Sequence, residues 1–155
     1  MRTDVTDYLD ERKIAYVVKP HRRPALTAET AAAERGVRVG QVTKCMIGEN
    51  ETGQLVAMLI PGDKRLKSSR ARKHLGVSSL ELVPRERLVA EHGLVVGAIS
   101  PTQLVGKALI LADPSVLDEE RVTISSGDPL AGLELSSKDL LEAVGAEATD
   151  IISHR

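Results

Sequence analysis

The run Leu55-Val56-Ala57-Met58-Leu59-Ile60 constrains this chain more than any other stretch. All six side chains are apolar, with no alternation, and the run is bracketed by Gly53 and by Pro61-Gly62. A strand of that kind has no face to offer water, so it belongs inside a sheet covered on both sides. Just upstream, residues 41–47 form a second β-prone run, joined to the first by the polar, Gly-bounded segment 48–53. The pair predicts a hairpin.

The remaining elements must cover that hairpin. Thr3 caps a helix over 4–13, and Thr27 caps an Ala-rich helix over 28–35 that Gly36 stops. A basic helix follows Pro61-Gly62-Asp63 and ends at Gly76. Pro84 opens a helix over 85–91 that Gly93 ends, and Ser136 or Ser137 caps a last helix over 138–144. Short strands are predicted at 14–18, 80–83, 108–112, 121–125 and 133–135, and Leu94-Val95-Val96, ended by Gly97, reads as another. Hairpins mixed with helices predict one α+β domain over 1–155, with a largely antiparallel, barrel-like central sheet flanked by helices.

Composition narrows the core and the partners. At 155 residues one domain buries roughly 70% of its unfolded surface. The chain has no Phe and no Trp, so Leu, Val, Ile and Ala must fill the interior. The same lack removes the aromatic platforms on which many proteins stack single-stranded bases. A lone cysteine, Cys45, excludes an internal disulfide and fits a reducing compartment. His21, His74, His92 and His154 are scattered and read as surface residues, with no metal spacing among them. No apolar run approaches the ~20 residues of a membrane span. The N-terminus is acidic and polar where a signal peptide is basic and then apolar, so the cytoplasm is the default.

Charge is unevenly spread. Residues 1–100 carry 17 Lys and Arg against 12 Asp and Glu, whereas 101–155 carry 4 against 10. The excess concentrates in Lys64, Arg65, Lys67, Arg70, Arg72 and Lys73. Such a run is either a solvated helix face or a phosphate-contacting patch suited to an RNA backbone.

Three places can carry chemistry. Lys44 lies inside a β-prone run, where a lysine must pair, snorkel to the edge or serve a ligand. Alternation puts Cys45 on the opposite face, where it reads as a small buried hydrophobe, so a Cys45-dependent hydrolase is the weakest candidate. Gly97-Ala98-Ile99-Ser100-Pro101 is a turn whose amides cannot all pair as a strand would, and it either leaves a strand in the ordinary way or presents main-chain groups to a ligand. Ser125-Ser126-Gly127 closes a strand similarly, as turn chemistry or as a pocket wall. No Ser/His/Asp arrangement is readable, and Glu119-Glu120 sits in a polar loop.

Taken in order, Tyr8-Leu9, Tyr16, Thr30-Ala31-Ala32-Ala33, Val42-Thr43-Lys44, Leu59-Ile60-Pro61-Gly62-Asp63, Val96-Gly97-Ala98-Ile99-Ser100-Pro101, Ala112-Asp113-Pro114-Ser115, Ser125-Ser126-Gly127 and Leu133-Glu134-Leu135 with Asp139-Leu140 span nearly the whole chain. This series resembles the YbaK/EbsC-type aminoacyl-tRNA deacylases, relatives of the editing domain inserted in bacterial prolyl-tRNA synthetases. The resemblance implies a hydrolase that clears a small wrong amino acid from prolyl-tRNA acceptors. It implies that Lys44 anchors the 3′-terminal adenosine and helps to hold the ester, with Gly97, Ser100 and Pro101 as its catalytic neighbours. Ala98, Ile99, Ser125, Ser126 and Gly127 would bind substrate, and the basic run would contact tRNA. The attacking group would be water, or a hydroxyl or thiol of the substrate, with no cofactor. The partners implied are mischarged aminoacyl-tRNA and, second, an aminoacyl-tRNA synthetase. Relatives directed at cysteinyl-tRNA carry Lys-Arg-Gly where this chain has Asp128-Pro129-Leu130, and an Asp where it has Gly132. That departure argues against a cysteinyl substrate and motivates an alternative, a non-catalytic nucleotide- or tRNA-binding or regulatory module with the same pocket.

Overall fold

The apolar run 55–60 folds into the central strand of a five-stranded sheet. In the computed structural model, which describes residues 1–155, the helices are α1 (Asp4–Glu11), α2 (Ala28–Arg35), α3 (Ser68–Leu75), α4 (Arg85–His92) and α5 (Ser137–Val144). The strands are β1 (Val17–Pro20), β2 (Thr43–Asn50), β3 (Leu55–Pro61), β4 (Leu80–Leu82), β5 (Ala108–Ala112), β6 (Arg121–Ser125), β7 (Ala131–Ser136) and β8 (Glu147–Ala148). One sheet has the order β4-β2-β3-β5-β8 and the other β1-β7-β6.

Strand β3 is buried at every position because it has a core on each side. Leu55, Ala57 and Leu59 join the main cluster, with α1, α5 and the inner face of the three-stranded sheet. Val56, Met58 and Ile60 join a smaller cluster with Ala71 of α3 and with Ile151 and Ile152 near the C-terminus. The period of two along a strand divides one apolar run between two cores. Aliphatic side chains fill both, and Tyr8 packs at the margin with its hydroxyl donating to the Ala143 carbonyl at 2.6 Å.

The sheets are not closed into a barrel. A single parallel bridge, Val42 to Thr123, joins them. Nor is the larger sheet antiparallel throughout: β3–β5 and β5–β8 run parallel. The segment 94–97, read from sequence as a strand, belongs to neither sheet. Gly97 adopts φ +81°, the Ala98 amide turns back to the Val95 carbonyl at 2.9 Å, and Val95 and Val96 stay exposed. With that segment irregular, no strand bridges the open edges. Strand β1 begins three residues later than the run 14–18 suggests, and the hairpin turn tightens around Asn50, whose side chain accepts from the amides of Thr52 and Gln54. The short β8 is an element that the sequence did not announce.

The helix boundaries follow their caps. Thr3 and Thr27 each accept from the amide three residues on, and Gly36, Gly76, Gly93 and Gly145 end their helices in the left-handed conformation. Alanine lets α2 sit close to the sheet: Ala31 and Ala32 pack with Ala25 and Val42. The basic run divides, since Lys64, Arg65 and Lys67 precede α3 while Arg70, Arg72 and Lys73 lie on it.

Candidate active site

Between α2, the start of β2, the end of β6 and the turn at Gly97 lies a cleft of about 390 Å³. Among the residues singled out from sequence, it brings together Lys44, Gly97, Ile99 and Ser125, and Cys45, expected on the opposite face from Lys44, also borders it. Apolar contacts from Ala25, Ala31, Val42 and Val96 complete much of the wall. Small side chains on α2, Ala28 and Ala31, leave room that a larger helix face would fill.

Lys44 is half-buried, and its ammonium donates to the Lys64 carbonyl at 2.7 Å. An ammonium has three donors, so two remain for a ligand. Burial pulls its pKa down, while Glu29 and Asp63 pull the other way. The bond to Lys64 also fixes the start of the basic run beside the cleft.

The turn contributes main chain. Gly97 takes a positive φ that favours glycine, and a Cβ there would also press on the exposed Leu26 side chain, 3.0 Å from its Cδ2. The Ala98 amide is used within the turn and the Ser100 amide donates to Gln103 Oε1 at 2.9 Å. The amides of Gly97 and Ile99 have no protein acceptor. Both residues line the cleft, and their amides are free to meet a ligand.

Five other sequence candidates lie outside this lining. Ala98 is fully buried. Ser100 and Pro101 are buried at the start of a short turn, Pro101–Leu104, whose Gln103 side chain reaches the Asp4 carboxylate of α1. The Ser100 hydroxyl is sealed in without a partner. The Ser126 hydroxyl donates to the Ala131 carbonyl at 2.7 Å, and Gly127, at φ +89°, packs against Asp4 and Val5. Of the basic residues, Lys64, Arg65, Lys67 and Lys73 are exposed and Arg72 is half-buried. Arg70 differs, since its guanidinium pairs with Asp150 at 3.3 Å.

Cys45 packs against the main core, and burial pushes its thiol up to about 12. It is protonated at neutral pH and is no nucleophile.

Two residues escaped the sequence reading. His21 is buried, not a surface residue, and Arg35 is buried beside it while lining the cleft. Arg35 Nε donates to His21 Nε2 at 3.0 Å, and Nη1 donates to Thr123 Oγ1 at 3.0 Å. His21 must then carry its proton on Nδ1, which meets the Pro129 carbonyl at 3.0 Å. Burial lowers the His21 pKa, in keeping with a neutral ring. The only early sign of this pair was the polar loop bounded by Pro20 and Pro24, which holds His21 next to the Ala-rich helix.

The site thus defines a mixed α+β domain with a lysine-bearing cleft open to a ligand. A family model described as the aminoacyl-tRNA editing domain matches residues 22–143, and the chain belongs to that family. The proline–tRNA ligase of Streptomyces coelicolor is 33% identical over 90 residues, 58% of this chain and 16% of that enzyme. The chain spans 16% of that ligase and 23% of proline–tRNA ligase 1 of Streptomyces avermitilis. Protein YwhH of Bacillus subtilis, described as uncharacterized, is 25% identical over 116 residues, 75% of this chain and 73% of that one. Among solved structures, hypothetical protein APE2540 superposes with a TM-score of 0.89 at 28% identity, over 97% of this chain and 100% of that one. Another, described as a proposed trans-editing enzyme for prolyl tRNA synthetase, superposes with a TM-score of 0.79 at 24% identity over 99% of each chain, a likeness of fold.

Proposed function

We propose that this chain hydrolyses the ester of mischarged aminoacyl-tRNA, acting in trans on prolyl-tRNA acceptors that carry a small wrong amino acid. The observation that carries this reading is that Lys44, Gly97 and Ile99 line one cleft, with the amides of Gly97 and Ile99 unpaired in the protein. Lys44 takes a phosphate or ester oxygen of the terminal adenosine. The amides orient the aminoacyl group and polarise its carbonyl. Ser125 contributes a hydroxyl at the far wall. An aminoacyl ester is already activated, so positioning and a few fixed dipoles suffice without a protein nucleophile. Water, or a hydroxyl or thiol of the substrate, attacks the carbonyl carbon, and the ribose hydroxyl leaves with a proton. The basic run from Lys64 to Lys73 holds the acceptor stem.

The second reading, a binding module without turnover, is favoured by one feature: the cleft lining contains no His, Asp or Glu to act as general base. The two readings part on one assay. Prolyl-tRNA acceptors charged with Ala, Ser, Cys or Pro are incubated with the protein, and release of the amino acid is followed. Hydrolysis of at least one mischarged species above background, with Pro-charged acceptor spared, is the expected outcome. Salt-dependent tRNA binding with no turnover of any species establishes the second reading instead.

A further inference from the structure

Arg35 has no task in ester hydrolysis as described above, yet its environment is unusual. It ends α2 and is 6% exposed, the only buried lysine or arginine of the molecule. The other buried ionisable acid–base extreme, Asp113, is fully answered: it accepts from the amides of Ser115 and Ile151 and from the Ser115 hydroxyl. Arg35 is answered by two neutral groups, His21 Nε2 and Thr123 Oγ1, and no carboxylate forms an ion pair with it. Its neighbour Glu34 faces away to Arg22 and Arg23. Nη2 donates to nothing in the protein. A buried cation without a counter-charge is costly, and a ligand anion removes that cost.

The surroundings are shaped to hold the guanidinium in place. A Cβ at Gly132 would fall 2.1 Å from Arg35 Nε and 2.6 Å from Cζ, so only glycine on β7 leaves room for it. His21 and Thr123 fix two edges of the fork, and the remaining edge is free. The cleft that Arg35 lines includes Lys44 and Arg85 and no acidic residue. Glu29 and Asp63 act on Lys44 from outside the lining, but nothing acidic lines the cleft on the Arg35 side, so a ligand anion there meets cations only.

We infer that Arg35 is a specificity-determining residue that receives an anionic oxygen of the bound substrate, at a position separate from the Lys44 ammonium. The inference rests on the editing reading for where substrate lies. Two parts of an aminoacyl-tRNA terminus offer such an oxygen: a phosphate of the terminal nucleotides and the side-chain carboxylate of an attached acidic amino acid. A guanidinium fork accepts either with paired N–H donors.

The test follows the Arg35 Nε–H resonance of the full chain at constant ionic strength. Probes are adenosine 5′-monophosphate against adenosine, and glutamate α-methyl ester against glutamine methyl ester. A saturable shift with a charged probe and none with its neutral counterpart is expected, together with at least a tenfold loss of affinity for that probe in Arg35→Gln. Response to the nucleotide assigns the phosphate, and response to the glutamate ester assigns an acidic side chain. If neither charged probe shifts the resonance saturably, or if folded Arg35→Gln binds the charged probe as well as wild type, the inference is overturned. Should Arg35→Gln fail to fold, the wild-type titration decides alone. Charge-selective binding without any deacylation would reject the editing reading and keep this one, and deacylation without charge selectivity would do the reverse.

Discussion

Gly97 shows how narrow the tolerance of the cleft is. A side chain there must adopt φ +81° and push against Leu26, so Gly97→Ala should cost about 1–2 kcal/mol in denaturant unfolding. Its loss of deacylation should exceed what the lost stability explains, because the Gly97 and Ile99 amides move with the turn. Cys45 makes the opposite case. Its thiol is held up to about 12 against an ordinary 9, so Cys45→Ser should keep its deacylation rate, and the native thiol should resist alkylation at pH 8 until the protein unfolds. Lys44 was legible because a charge inside an apolar run demands a reason. Arg35 and His21 were not, since their partners lie 14 and 88 residues away in sequence and nothing local marks them. Ser100 and Ser126 show a related difficulty: a hydroxyl beside a turn serves the turn and the pocket equally well in sequence, and here Ser126 is bonded within the fold while the Ser100 hydroxyl is buried outside the cleft.

Among the elements, caps were readable and pairing partners were not. Thr27, Gly36, Gly93 and Gly145 set helix ends through interactions within a few residues, so sequence places them closely. Whether 94–97 pairs as a strand depends on a neighbour that no local pattern names, and the parallel partners of β3 and β5 are likewise non-local. The basic run is an element-scale claim with its own test. Lys67, Arg72 and Lys73 changed together to Ala should weaken tRNA binding and reduce the salt dependence, by roughly one in the log–log slope per lost phosphate contact. Arg70 is left out of that set because Asp150 already engages it. An unchanged slope would assign the run to a solvated face.

Across the whole molecule, ion pairs tie distant segments. Arg38 grips Glu119 through two bonds of 2.7 Å, and Arg87 reaches Glu49 at 2.7 Å. Those arginines hold the carboxyls of Glu119 and Glu49 below their ordinary 4.5, and the Arg22 amide does the same for Glu34. The unfolded chain therefore binds more protons than the folded one near pH 4, so stability rises with pH there. The contribution is present above about pH 4.5 and is lost as pH falls through the lowered values. Urea unfolding followed from pH 6 to pH 3 should show this decline, and Glu119→Gln should flatten part of it. The larger question, whether the cleft turns over an ester, is answered most directly by single-turnover hydrolysis of alanine-charged prolyl-tRNA acceptor with wild type and with Lys44→Ala. The expected result is release well above background by wild type and a rate roughly 100-fold lower in the folded variant. Equal rates for the two proteins, at background or above it, would contradict a cleft organised around Lys44.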